Sequence, residues 1–84
     1  MLFVYAIYNS ISKKIYIGQT NNLERRLKEH NLKKGTHFTA KTKGTWTVIY
    51  KEDVLDRKNA LIREKQLKSY RGRKFIKQYI PVEV

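Results

Sequence analysis

Residues 2–8, Leu-Phe-Val-Tyr-Ala-Ile-Tyr, form a run with no polar face. In an extended strand, Phe3, Tyr5 and Ile7 point to one side and Val4, Ala6 and Tyr8 to the other. A strand with one wet face alternates apolar and polar residues; this one is apolar on both parities. It therefore belongs at the centre of a sheet that is covered on both sides. With 84 residues and 40% of them hydrophobic, the chain has material for one such sheet and one small core. A single domain over residues 1–84 is expected.

The rest of the chain supplies what that strand needs. Residues 9–14, Asn-Ser-Ile-Ser-Lys-Lys, carry turn chemistry, and residues 15–18 return as a short second strand, so the pair reads as a hairpin. Gln19, Thr20, Asn21 and Asn22 offer helix caps. Leu23, Leu27 and His30 then recur at helical spacing, and this helix should end near Asn31. Residues 31–44 are polar and basic and read as a loop, with one short helical turn around 37–40. Trp46, Val48 and Tyr50 alternate in a third strand over 45–51. Asp53 or Asp56 caps a second helix over 57–69, Gly72 punctuates, and a last short helix over 73–79 stops before Pro81. The order β-β-α-β-α-α lacks the long crossovers of a doubly wound sheet. The expected fold is α/β of the α+β type: a three-stranded, mostly antiparallel sheet flanked by helices.

Charge narrows the partner. Lys and Arg number 19 against 7 Asp and Glu, a formal net charge of +12. Self-repulsion on this scale favours a polyanion partner, and the cations are spread along a foldable chain instead of forming a tail. Nucleic acid is the expected partner. The absence of cysteine removes disulfides, thiolate nucleophiles and thiolate metal sites, and fits a reducing cytoplasm. No segment reaches the ~20 apolar residues of a membrane span, so no membrane partner is expected. The apolar start lacks a basic lead and a small-residue cleavage site, which argues for a strand over a signal peptide.

Tyr5 on the first strand, Tyr16 on the second, and Arg26 and His30 on the first helix can meet at one strand–turn–helix corner. Two phenols, a guanidinium and an imidazole suit a phosphodiester: the guanidinium binds phosphate oxygens, and a phenol or imidazole moves a proton. Each residue also has a plain structural reading. Arg26 borders the Leu23/Leu27 stripe, where its stem can simply cover leucine. Tyrosines on paired strands can stack as core aromatics. His30 sits at a helix end that favours its charge. Glu64 falls in a helical arc with Ala60, Leu61 and Leu67, where a carboxylate needs either an ion-pair partner or a metal. His37 lies in the basic loop with nothing to connect it to the corner. Neither histidine has a second ligand at zinc spacing.

At Tyr16-Ile17-Gly18, with Arg26 eight residues beyond Gly18, the chain resembles the GIY-YIG endonuclease family. It is similar to the small single-domain branch and to the nuclease domains of excision-repair endonuclease subunits and homing endonucleases. Ala60-Leu-Ile-Arg-Glu-Lys-Gln-Leu-Lys68 resembles the family's second-helix motif, and Lys68-Ser-Tyr-Arg-Gly-Arg-Lys-Phe75 the segment that follows it. Phe3 stands where the family name has its first Gly. The resemblance implies a metal-dependent endonuclease acting on nucleic acid, with DNA the expected form. It assigns Tyr5 as the base toward water, Tyr16 as an orienting phenol, Arg26 as the phosphate stabiliser and His30 as a proton relay. Glu64 becomes the ligand of one Mg²⁺ or Mn²⁺, in keeping with a metal that retains much of its water. Two other classes remain open: a non-catalytic basic nucleic-acid-binding module on the same fold, and a basic accessory protein for a protein partner. Phe3 itself is expected in the core.

Overall fold

The structure is a computed structural model that describes residues 1–32 and 43–81. Its elements are β1 (Leu2–Asn9), β2 (Lys14–Thr20), α1 (Leu23–Asn31), β3 (Trp46–Val54), α2 (Arg57–Lys68) and α3 (Tyr70–Lys77). The sheet order is β2-β1-β3, with both pairings antiparallel. The doubly apolar strand is thus central, as its sequence requires. Residues 4–9 of β1 are all buried.

Each face of β1 nucleates its own cluster. Val4 and Ala6 meet Ile17 of β2, Ala60 and Leu67 of α2, and Ile76 of α3. Tyr5 and Ile7 meet Trp46, with Tyr16, Leu23, Leu27 and Val48 packed around them. So α2 and α3 cover one face and α1 the other. Full burial of one Leu or Ile stabilises the fold by about 1.5–3 kcal/mol, and this small core has few such residues. The sheet therefore depends on contributions from both of its faces.

The helix starts follow from local chemistry. Asn22 caps α1 by accepting from the Arg25 N–H at 3.0 Å, and Asp56 caps α2 by accepting from the Asn59 N–H at 2.8 Å. Ser69 caps α3 through the Gly72 N–H at 3.2 Å.

Several expectations need correction. β2 continues through Gln19 and Thr20, because their backbones pair with Val4 and Phe3 of β1. β3 runs on to Val54 for the same reason, opposite Leu2. α3 begins at Tyr70, not 73, so Gly72 lies inside the helix. A Cβ on Gly72 would stand 2.1 Å from the Gln66 carbonyl oxygen and 2.4 Å from Leu67 Cα. The missing side chain at Gly72 thus lets the start of α3 lie against the backbone at the end of α2. Phe3 is only half-buried, near the start of the sheet, with the Lys51 ammonium 5.7 Å from its ring centroid. The helical turn expected around 37–40 lies outside the described residues.

Candidate active site

The antiparallel register between β1 and β2 sets Tyr5 opposite Gly18 and Ile7 opposite Tyr16. Residues that face each other across a ladder share a side of the sheet. Tyr5, Tyr16 and Gly18 therefore look toward α1. Gly18 is where space is scarce: a Cβ there would lie 3.0 Å from the Tyr5 hydroxyl and 3.0 Å from Tyr16 Cε1. The bare backbone at Gly18 is what admits both phenols.

Helix α1 brings the remaining groups. Thr20 Oγ1 accepts from the Asn22 N–H at 3.1 Å, which turns the chain out of β2 directly into the Asn22 cap. Arg26 and His30, at i and i+4, then face the tyrosines together. At the far end, Asn31 donates to the Trp46 carbonyl at 3.1 Å and accepts from the Trp46 N–H at 2.7 Å. This two-bond clasp fixes the end of α1 that carries His30 to the start of β3.

The Tyr5 hydroxyl lies 2.8 Å from His30 Nε2. Tyr5 is fully buried and His30 nearly so. The Tyr16 ring is half-buried, with centroids 5.0 Å from His30 and 6.4 Å from Tyr5. Arg26 bonds Glu29 at 3.3 Å on one side. Burial works against its charge, but hydrogen bonding to Tyr5, Glu29 and Tyr16 raises its pKa further above the ordinary value. Arg26 is a fixed cation against two phenols.

Glu64 approaches from the other face. Gln19, at the β2 edge, donates from Nε2 to Glu64 Oε1 at 3.2 Å and accepts from Arg57 Nη1 at 3.0 Å. Lys68, one turn along α2, donates to Glu64 Oε2 at 2.7 Å. The Glu64 side chain keeps 20% of its exposure. Leu61, expected to share its apolar arc, is exposed; Ala60 and Leu67 are buried. Glu64 therefore borders the core without entering it.

These groups act on one another. Burial pushes the Tyr5 phenol up to about 12; Tyr16 and, more weakly, Glu64 add to the rise, and Arg26 opposes it. Tyr5 is a protonated phenol at neutral pH, not a standing phenolate. The fold thus brings Tyr5, Tyr16, Arg26 and His30 together at one corner, with Glu64 one strand edge away and electrostatically coupled to Tyr5. His37 lies outside the described residues. Gln19, Asn31 and Lys68 escaped the sequence reading. Lys68 was detectable as the i+4 partner of Glu64; Gln19 was not, because it reads as a helix cap beyond the end of the second strand.

The donor set bears on a metal. Among the described residues, no three His, Cys, Asp or Glu side chains cluster as ligands. A lone, part-exposed carboxylate is a poor cage for zinc, yet adequate for Mg²⁺, which keeps most of its waters. The Lys68 ammonium already sits on Glu64 Oε2, a protein cation where a metal cation would be drawn. The residues fit such an ion at Glu64.

Comparison with known proteins agrees with this architecture. Over 66 residues the chain is 33% identical to the UPF0213 protein OB0043 of Oceanobacillus iheyensis, covering 79% of this chain and 74% of that protein. The solution structure of the UPF0213 protein BH0048 from Bacillus halodurans superimposes with a TM-score of 0.54. That match spans 95% of this chain and 86% of the other at 23% identity, and so speaks to the fold. The GIY-YIG catalytic domain family matches residues 1–78, with the Tyr5, Tyr16, Arg26, His30 and Glu64 positions all inside the match. The chain belongs to the GIY-YIG family.

Proposed function

We propose that the protein is a metal-dependent endonuclease that hydrolyses phosphodiester bonds in nucleic acid, DNA being the expected substrate. The observation that carries this reading is the Tyr5–His30 hydrogen bond, 2.8 Å long, beside a fixed Arg26 cation. Family membership supports the reaction class, and this geometry supports a proton path.

With its pKa raised to about 12, Tyr5 cannot wait as a phenolate. It can serve as the middle of a relay. When the water oxygen attacks phosphorus, its proton moves to Tyr5 Oη as the Tyr5 proton moves to His30 Nε2. The phenol stays neutral throughout, and the positive charge forms instead on the buried His30 ring, where burial opposes it and the negative charge developing on the attacked phosphate would offset it. The relay needs Nδ1 to carry the ring proton of His30, leaving Nε2 as acceptor. It also needs a shift of Tyr16 or Arg26 when substrate binds, because Tyr5 is completely covered in the free protein. Tyr16, half-exposed, would orient the water, and Arg26 would hold the non-bridging phosphate oxygens as charge develops on them. Glu64 would hold Mg²⁺ or Mn²⁺ after Lys68 leaves its Oε2. When bound, the metal supplies Lewis-acid stabilisation of phosphate and leaving-group charge.

The complete burial of Tyr5 favours a second reading, a non-catalytic nucleic-acid-binding module on the same fold. Incubating wild type and Arg26→Ala with labelled linear and branched nucleic acids, with and without Mg²⁺, separates the two. The nuclease reading expects Mg²⁺-dependent cleavage by wild type and none by the variant, with binding retained by both. Wild type that binds the panel and cuts nothing, or a variant that cuts as well as wild type, would favour the binding module.

A further inference from the structure

Beside the reaction centre, β2 and α3 enclose an open groove of about 620 Å³. Its walls carry the cations Lys14, Lys68, Arg73 and Lys77 from three separate elements. Ile15 and Tyr16 of β2 also line it. On α3, Arg73 and Lys77 are one turn apart and share a side, while Ile76 turns inward to the core. The Arg73 Nε–H donates to the Lys68 carbonyl at 3.3 Å, which ties the start of α3 to the end of α2.

The groove is continuous with the candidate active site at two points. Lys68 both lines it and holds Glu64 at 2.7 Å. Tyr16 both lines it and stands beside His30. A polymer with one phosphate at Arg26 and Glu64 would thus have its next phosphates beside Lys68, Arg73, Lys77 and Lys14.

We infer that this groove holds a single-stranded segment of nucleic acid next to the scissile bond, so that the preferred substrate carries an unpaired strand at the cut. The inference rests on the nuclease reading above and specifies its substrate. Cationic walls alone would suit any polyanion. The distinguishing feature is the part-exposed aliphatic and aromatic wall of β2 between them. A duplex turns its phosphates and sugars outward and leaves such a wall wet; an unpaired strand can lay its bases on it while its phosphates reach the cations. Among the described residues β2 is an edge strand of the sheet, next to β1, so its outer side can face bases and sugars.

The test uses the full chain without metal, in fluorescence anisotropy titrations with a labelled oligothymidylate of roughly a dozen nucleotides and with a duplex of equal length. Proteins compared are wild type, Lys14→Ala/Lys77→Ala and the charge-keeping Lys14→Arg/Lys77→Arg. Both lysines are exposed, and thermal melting checks that each variant folds. The alanine pair should bind the single strand roughly tenfold more weakly, with a log–log salt slope shallower by about 1.4 for two lost phosphate contacts. Duplex affinity should change far less, and the arginine pair should restore single-strand binding. Equal loss on both probes, or no loss on the single strand, overturns the inference. If wild type still cleaves nucleic acid in that case, the groove assignment alone has failed. Wild type that neither binds the oligomer nor cleaves any substrate would overturn the nuclease reading together with it.

Discussion

The Tyr5 hydroxyl and His30 Nε2 stand 2.8 Å apart in the interior, one from the central strand and one from the end of α1. A buried phenol next to an imidazole is costly to separate, since each is the other's polar partner. Burial keeps Tyr5 protonated, and in the proposed relay His30 would receive its proton.

Stability should fall at high pH through Tyr5. An unfolded phenol ionises near 10, while folded Tyr5 holds its proton to about 12. Between those values the unfolded chain releases a proton that the folded one keeps, so stability is unaffected below pH ~10 and falls as pH rises toward 12. The loss should reach about 2 kcal/mol near pH 11.5. Urea unfolding of wild type and Tyr5→Phe across this range checks it. The difference between the two proteins should shrink by that amount in wild type's disfavour, and parallel curves would show that Tyr5 does not titrate as described. At neutral pH, Tyr5→Phe should cost about 1–2 kcal/mol and lower cleavage at least 100-fold.

Gly18→Ala tests the fit of the two phenols. The new methyl would lie 3.0 Å from the Tyr5 hydroxyl and from Tyr16 Cε1, so those rings must shift by a few tenths of an ångström. Destabilisation of about 1–2 kcal/mol is expected. Cleavage per folded molecule should drop by an order of magnitude or more, because small displacements at a reacting centre are costly. A variant with altered melting temperature and unaltered turnover would separate Gly18 from the site.

Gly72→Ala should damage the fold and not the chemistry. Its methyl would meet backbone atoms of Gln66 and Leu67 at 2.1–2.4 Å, and backbone cannot rotate away as a side chain can. The expected loss is about 3 kcal/mol or more, read from thermal or urea unfolding. A neutral effect would mean that α3 does not sit so close to α2.

The parts of this structure that were legible in the sequence are those with local causes. The doubly apolar run at residues 2–8 required a central strand, and the Asn22 and Asp56 caps opened helices where such residues should. Tyr5, Tyr16, Arg26 and His30 could be assembled because strand pairing and one helical turn relate them. Errors arose where tertiary contact overrode local preference. Gln19 and Thr20 look like helix-cap residues, yet ladder pairing to β1 holds them in β2. Gly72 looks like a breaker, yet it is the residue that lets α3 approach α2. Phe3 has the composition of a core residue, but its place near the strand's start leaves it half-covered. The groove cations were invisible as a group, since Lys14 is far in sequence from Lys68, Arg73 and Lys77, and only the fold juxtaposes them.

In the proposed nuclease, Glu64 serves a metal and not merely an ion pair. Its bond to Lys68 is part-exposed on both sides, and such pairs contribute about 1 kcal/mol or less. Glu64→Gln keeps the side chain's shape and can keep the Gln19 contact, so the melting temperature should barely move. Removing one negative charge beside a phosphate-binding surface should leave metal-free affinity for nucleic acid unchanged or tighter. The deciding measurement is Mg²⁺-dependent cleavage by Glu64→Gln and wild type, with melting temperature and metal-free affinity taken on the same preparations. The account predicts collapse of cleavage in a folded, binding-competent variant; a destabilised Glu64→Gln protein that still cleaves at the wild-type rate per folded molecule would contradict it.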